Sequence, residues 1–396
     1  MKLLKSLPAR LLLGIIAGIA LGLILPKGAM VVVVTIKYIL GQLITFCVPL
    51  IIIGFIAPSI TKLGNSATRM LVVAVCLAYC SSILAAFGSM GAGYAIIPHM
   101  NIVTDPESLR ELPAVAFQLD IPQIMPVMSA LVVSVLVGLA CVWTKAKTFT
   151  KVLQEFQDIV LDIVKKIIIP VLPVFIAATF CALAWEGMLT KQLPVFLAVI
   201  LIVIVGHYIW LAVLYGAASA YSRRSGIEVV RHYGPAYLTA VGTMSSAATL
   251  AVALECARKS KNLRRDLVDF GIPLFANIHL CGSVLTEVFF VMTVSKVLYG
   301  QIPPVGSMIL FCFLLGVFAI GAPGVPGGTV MASLGLITGV LGFDADGTAL
   351  MLAVFALQDS FGTACNVTGD GALTLMLTGY AEKHGIREET IGEIIL

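Results

Sequence analysis

The chain has 396 residues, of which 59% are hydrophobic and 12% charged, with a net charge of +4 and a mean hydropathy of +1.04. A typical water-soluble domain carries roughly 25% charged residues, so this composition excludes a soluble fold and places the chain in a membrane. The apolar runs reach the roughly 20 residues that a helix needs to span. They lack sustained period-two alternation, which argues against a β-barrel.

Basic residues mark the cytoplasmic side, so each loop reports on orientation, and the net charge reflects topology rather than nucleic-acid binding. Met1 to Leu25 imitates a signal peptide, with Lys2, Lys5 and Arg10 before an apolar run. No small-x-small cleavage pattern follows, and the segment is expected to be the first spanning helix, with a cytoplasmic N-terminus in a multi-pass inner-membrane protein. Lys62 and Arg69 fall inside after two crossings. The next loop carries Asp105, Glu107, Glu111 and Asp120 against Arg110 and belongs outside. Lys145, Lys147 and Lys151 return inside, as do Arg223 and Arg224 after the sixth crossing. Residues 232–257 are apolar enough to cross but have Arg231 before them and Arg258, Lys259, Lys261, Arg264 and Arg265 after. A full crossing would strand the second cluster outside, so a hairpin is expected that enters and leaves on the cytoplasmic side and turns near Ser245-Ser246-Ala247-Ala248.

The following segment, about 267–299, holds Asn277, His279, Ser283 and Glu287 in its middle and Gly271-Ile-Pro273 near its start. This pattern suits a locally unwound helix whose carbonyls could face a cation. Residues 305–341 are interrupted by Gly321-Ala-Pro-Gly-Val-Pro-Gly-Gly328, and broken backbone at membrane depth survives only where protein or a water-filled cavity satisfies it. The next loop carries Asp344 and Asp346 without a base, so this second hairpin is expected to enter from outside. The expected fold is an all-α membrane protein of eight spanning helices with two oppositely oriented re-entrant hairpins near 232–257 and 305–341. The nine cysteines lie in or beside apolar segments without a Cys-x-x-Cys pair, which reads as packing.

The chemistry concentrates in the last segment, about 348–380. Asp359, Thr363, Asn366 and Asp370 stand at i, i+4, i+7 and i+11, on one face of a helix. A carboxylate within the membrane needs a cavity, a partner or a cation. Hydrogen-bonding glue between helices is the plainer reading for Thr363 or Asn366 alone, and a satisfied core histidine for His279. Glu287 has no base nearby in sequence and suits a proton carrier. A conducting pore could use the same stripe. An intramembrane enzyme with a Ser245 or Ser246 nucleophile is disfavoured, because no Gly-x-Ser-x-Gly surrounds them and His279 is the only obvious base.

At these residues the chain resembles the dicarboxylate/amino acid:cation symporter family. Asp359 through Asn366-Val-Thr-Gly-Asp370 looks like its last-helix motif, Gly324-Val-Pro-Gly-Gly328 like the second hairpin's tip, Ser245-Ser246-Ala-Ala-Thr-Leu like the first hairpin's tip, and Val48-Pro49-Leu50 like the kinked second helix. The resemblance implies a homotrimer with no organic cofactor and an elevator-type mechanism. Residues 1–65 and 121–190 would form the scaffold, and 66–120 with 191–396 the transport domain. It implies that Asp359 holds a substrate ammonium and Asn366 its α-carboxylate, with Thr363, Ser283 and Gly362 beside them and backbone amides from Ser246, Val325 and Gly328. Asn366 and Asp370 would bind sodium, and Glu287 falls where a proton-carrying glutamate stands in the animal glutamate transporters.

The departures are as informative. Gly362 and Met244 occupy the two positions where acidic-substrate members carry an arginine. The family's Asn-Met-Asp-Gly-Thr reads His279-Leu280-Cys281-Gly282-Ser283. The expectation is therefore a non-enzymatic symporter of small neutral amino acids, coupled to sodium, protons or both. Transport of acidic amino acids or C4-dicarboxylates is the alternative.

Overall fold

A computed structural model describes residues 7–65, 69–100, 102, 110–122, 124–163, 166–167, 169–322 and 327–386. Among them every regular element is helical. In chain order these are α1 (Leu7–Ile24), α2 (Lys27–Asn65), α3 (Arg69–Ile96), α4 (Val127–Thr144), α5 (Lys147–Ile163), α6 (Ile169–Glu186), α7 (Met188–Ser222), α8 (Gly226–Val230), α9 (Gly234–Thr243), α10 (Ser246–Arg258), α11 (Arg265–Ile278), α12 (Cys281–Tyr299), α13 (Val305–Gly321), α14 (Gly328–Gly339) and α15 (Ala345–Lys383). Four stretches among the described residues are long and apolar enough to cross a membrane: Arg69–His99, Val195–Ser222, Arg265–Tyr299 and Ala345–Lys383. Lys2, Lys5, Asp105 and Glu107, used above for orientation, lie outside the described residues.

Glycine spacing fixes the first long-range contact. Gly14, Gly18 and Gly22 recur every four residues on one side of α1 and lie against the backbone of α6. A Cβ at Gly14 would come within 2.7 Å of the Pro173 carbonyl oxygen, and Cβ atoms at Gly18 and Gly22 would collide with the carbonyls of Ala177 and Cys181. This is the small-residue packing that lets apolar helices associate without a hydrophobic driving force. In α2, Pro49 and Pro58 sit inside the helix, where each removes a backbone donor and favours a bend.

α11 and α12 form one broken element. His279 is extended (φ −113°, ψ 100°) and Leu280 is also non-helical (φ −120°, ψ 40°), so the expected unwinding falls at these two residues. α9 and α10 fold back on each other. Their tip is Met244–Ser245, where Met244 takes a left-handed φ of 53° and the Ser245 hydroxyl accepts from the Ala248 amide as an N-cap. The turn thus starts one residue before the predicted place, because the serine side chain is used to begin α10. At the open end of the pair, Glu228 Oε2 accepts from Ser260 Oγ at 2.5 Å, joining the segment before α9 to the segment after α10.

The second pair, α13 and α14, has its open end at the other end of the α11–α12 element. Tyr299 donates to Asp344 at 2.7 Å, and Tyr94 donates to the carbonyl of Pro303 at 2.7 Å. Arg265 and Tyr299 are the ends of a stretch of 35 residues, about 50 Å at helical rise. The open ends of the two helix pairs therefore lie at opposite ends of the α11–α12 element, and α9, α10 and α14 all contact α15.

Candidate functional site

α15 supplies the spine of the site, and Asp359, Thr363, Asn366 and Asp370 are all buried on it. Thr363 hydrogen-bonds the Asp359 carboxylate. The Oδ2 of Asp359 also accepts from the Gly327 amide at 2.7 Å. Gly327 precedes α14 and has φ +71°, a conformation glycine takes without strain, which lets the amide at this helix start face the carboxylate. Gly328 is the first residue of α14 and is buried. Val325 lies outside the described residues.

One turn deeper, Asn366 Oδ1 accepts from the amides of Gly282 (2.7 Å) and Ser283 (3.2 Å), and its Nδ2 donates to Ser283 Oγ at 2.9 Å. The start of α12 thus grips Asn366 through its free N-terminal amides. The approach is close, since a Cβ at Gly282 would stand 2.5 Å from both the Gly362 carbonyl oxygen and Cys365 Cβ. Gly362 has more room, and a Cβ there would meet Ser283 at 3.4 Å, an ordinary contact. Ser246 is buried at the first turn of α10.

Asp370 Oδ1 is 2.9 Å from His279 Nδ1, and His279 Nε2 is 2.9 Å from Ser81 Oγ. The carboxylate's second oxygen is buried without a hydrogen-bond partner. Glu287, fully buried, accepts from Ser333 Oγ through Oε1, while its Oε2 is buried and unpartnered. Among the residues whose burial is described no arginine or lysine is buried. A cavity of about 790 Å³ between α7, α8, α9 and Thr368 lies off this stripe and is lined mainly by apolar and tyrosine side chains such as Leu211, Tyr215, Tyr233 and Tyr237.

The structure thus brings together Asp359 with Thr363 and Gly327, Asn366 with Ser283, and Gly362 with Ser283. Sequence reasoning missed several partners. Ser333 faces Glu287, and Ser81 holds His279. His207 lies in α7 with Nε2 3.1 Å from the Gly282 carbonyl and 2.9 Å from Thr286 Oγ1. Gln358 is fully buried with neither amide atom bonded. The signal for His207 was an ionisable residue inside an apolar span. The signal for Gln358 was weaker, because it stands one residue off the face that Asp359 defines.

The family described as "Sodium:dicarboxylate symporter family" matches residues 7–379. The chain is 26% identical over 228 residues to excitatory amino acid transporter 2 of Mus musculus, covering 56% of this chain and 39% of that protein. It is 30% identical over 153 residues to excitatory amino acid transporter 3 of Mus musculus, covering 39% of this chain and 28% of that protein. The chain therefore spans about two-fifths or less of the length of these relatives. With a match across nearly its whole length, this multi-pass membrane protein belongs to the sodium:dicarboxylate symporter family.

Proposed function

We propose that the protein is a secondary active symporter of small neutral amino acids, driven by sodium, protons or both and working as a homotrimer by an elevator mechanism in the inner membrane. The observation that carries this reading is buried Asp359, paired with the Gly327 backbone amide, in a site where no arginine or lysine stands among the residues whose burial is described. A carboxylate suits a substrate ammonium, and backbone amides at helix starts suit an α-carboxylate. A side-chain carboxylate has no guanidinium to meet here, and burying it uncompensated costs on the order of several kcal/mol. Ser246, Ser283, Val325, Gly328, Gly362, Thr363 and Asn366 complete the substrate site in this reading, and Glu287 carries the proton.

The opposed open ends of the α9–α10 and α13–α14 pairs support reading them as re-entrant hairpins, with eight full spans around them. Residues 1–65 and 121–190 then form the scaffold, and 66–120 with 191–396 the moving part. The names of the relatives favour a second reading, transport of acidic amino acids or C4-dicarboxylates. Uptake into proteoliposomes under sodium and pH gradients, competed by a panel of neutral and acidic amino acids and succinate, separates the two. Stronger competition by aspartate or succinate than by every neutral amino acid selects the second.

A further inference from the structure

Membership in this family implies sodium at the last-helix motif, and the sequence places it on Asn366 and Asp370. The contacts these residues make do not fit that ion. Asn366 Oδ1 is engaged by two amide donors, those of Gly282 and Ser283, and its Nδ2 by Ser283 Oγ. An oxygen holding two N–H groups at a helix N-terminus sits in positive potential and is poorly placed to ligate a cation. Asp370 Oδ1 is held by His279 whichever atom carries the hydrogen, so the imidazole occupies space beside the carboxylate where a cation would sit. Of the side-chain oxygens of these two residues only Asp370 Oδ2 is left without a partner, whereas a hard cation takes a shell of about six oxygens.

The imidazole is built into this position. The extended backbone at His279 breaks the α11–α12 helix at the residue that carries the ring. Both ring nitrogens are held, Nδ1 by Asp370 of α15 and Nε2 by Ser81 of α3, and the side chain is fully buried. The ring lies so close to α15 that a Cβ at Gly369 would stand 2.9 Å from its Cε1. Phe275 closes another side, with ring centroids 6.3 Å apart.

We propose that the His279 imidazole, fixed between Asp370 and Ser81, takes the place on Asp370 that the family assigns to a sodium ion, so that no sodium binds at Asp370 and Asn366 in this chain. The inference rests on the symporter reading, and it makes His279 a determinant of cation specificity. Whatever sodium response the protein shows arises elsewhere. Restoring the family's asparagine at this position opens the site.

The test uses thermal unfolding of the purified full-length protein in detergent, titrated with sodium chloride against choline chloride at constant ionic strength. Wild type, Asp370→Asn, His279→Asn and the double variant are compared. An ion that binds the folded state raises the melting temperature with the logarithm of its concentration above Kd. The sodium-dependent shift should be the same in wild type and Asp370→Asn. His279→Asn should acquire an additional saturable sodium shift that the double variant lacks. Should His279→Asn not fold, His279→Gln takes its place. Loss of the wild-type sodium shift in Asp370→Asn overturns the proposal, as does a folded His279 variant with no gain in sodium response. A stability shift with neutral amino acids, read on the same samples, reports separately on the symporter reading. A failure of that reading removes the amino acid shift, whereas a failure of this inference shows only in the sodium titration.

Discussion

Asp359 carries a charge beside Thr363 and the Gly327 amide, and the near-isosteric asparagine still offers an acceptor oxygen at this position. Asp359→Asn should therefore preserve folding while removing the counter-charge for an ammonium. Amino acid affinity, measured by thermal shift or radioligand binding, should fall a hundredfold or more, about 3 kcal/mol. Gly362→Arg is the complementary change. Its Cβ meets Ser283 at an ordinary distance, so the backbone accepts a side chain at this position. Neutral uptake should drop at least tenfold, and aspartate should become an effective competitor. Glu287→Gln retains an acceptor for Ser333 Oγ. Substrate exchange should survive while the pH dependence of net uptake is lost, and an unaltered pH profile would return Glu287 to a packing role. The spacing of the α15 stripe was legible in the sequence because a helix repeats its faces regularly. What each residue touches was not. Ser333 and Ser81 are separated from their partners by 46 and 198 positions, and nothing local to a serine reveals such a partner.

Among the elements, two connections are specific enough to break singly. The glycine face of α1 leaves no space for a side chain against α6. Gly18→Val should cost about 1–3 kcal/mol by overpacking, seen as a lower melting temperature in detergent. The open end of the α9–α10 pair depends on Glu228, which accepts from Ser260, the Lys261 amide, His232 and Arg231. Partial burial would raise its pKa, but these four partners together hold it below the ordinary 4.5. A depressed carboxylate stabilises fully above its ordinary value and loses that contribution as pH falls through the lower folded value. Thermal stability of wild type should decline below about pH 4.5 more steeply than that of Glu228→Ala, which should already be weaker by about 1–2 kcal/mol at neutral pH. The basic residues that flank 232–257 on both sides suggested a fold-back, and α9 and α10 do pack against each other. The tip of this pair was readable only to within a residue, because Ser245 could equally have been a turn residue or a helix cap.

For the whole molecule, the proposed elevator makes a claim about one ion pair. Lys37 Nζ of α2 lies 2.6 Å from Asp346 Oδ1 at the start of α15, so the pair joins the proposed scaffold to the proposed moving part. If those parts slide past each other, this contact must break in every cycle. In a background with the exposed Cys76 and Cys80 replaced by serine, a short thiol cross-link between Lys37→Cys and Asp346→Cys should abolish uptake, and reduction should restore it. Undiminished uptake by the cross-linked protein would show that the two parts do not separate there. The division itself was suggested by resemblance to the family rather than by composition, since long apolar helices occur in both parts.

The helix starts that meet α15 have a consequence for mutagenesis. The amides of Gly282 and Ser283 at α12 and of Gly327 at α14 hold Asn366 and Asp359 from the main chain. The positive potential at the site is therefore encoded in peptide groups, which every amino acid except proline presents alike. An alanine scan would pass over Gly282, Ser283 and Gly327 as sources of that potential, registering instead the steric clash at Gly282, the lost hydroxyl of Ser283 or the backbone strain of a Cβ at the positive φ of Gly327. Replacing a single amide by an ester, through semisynthesis or hydroxy-acid incorporation at 283 or 327, deletes the donor and leaves the side chains in place. That substitution measures the part of the site that the genetic code cannot vary.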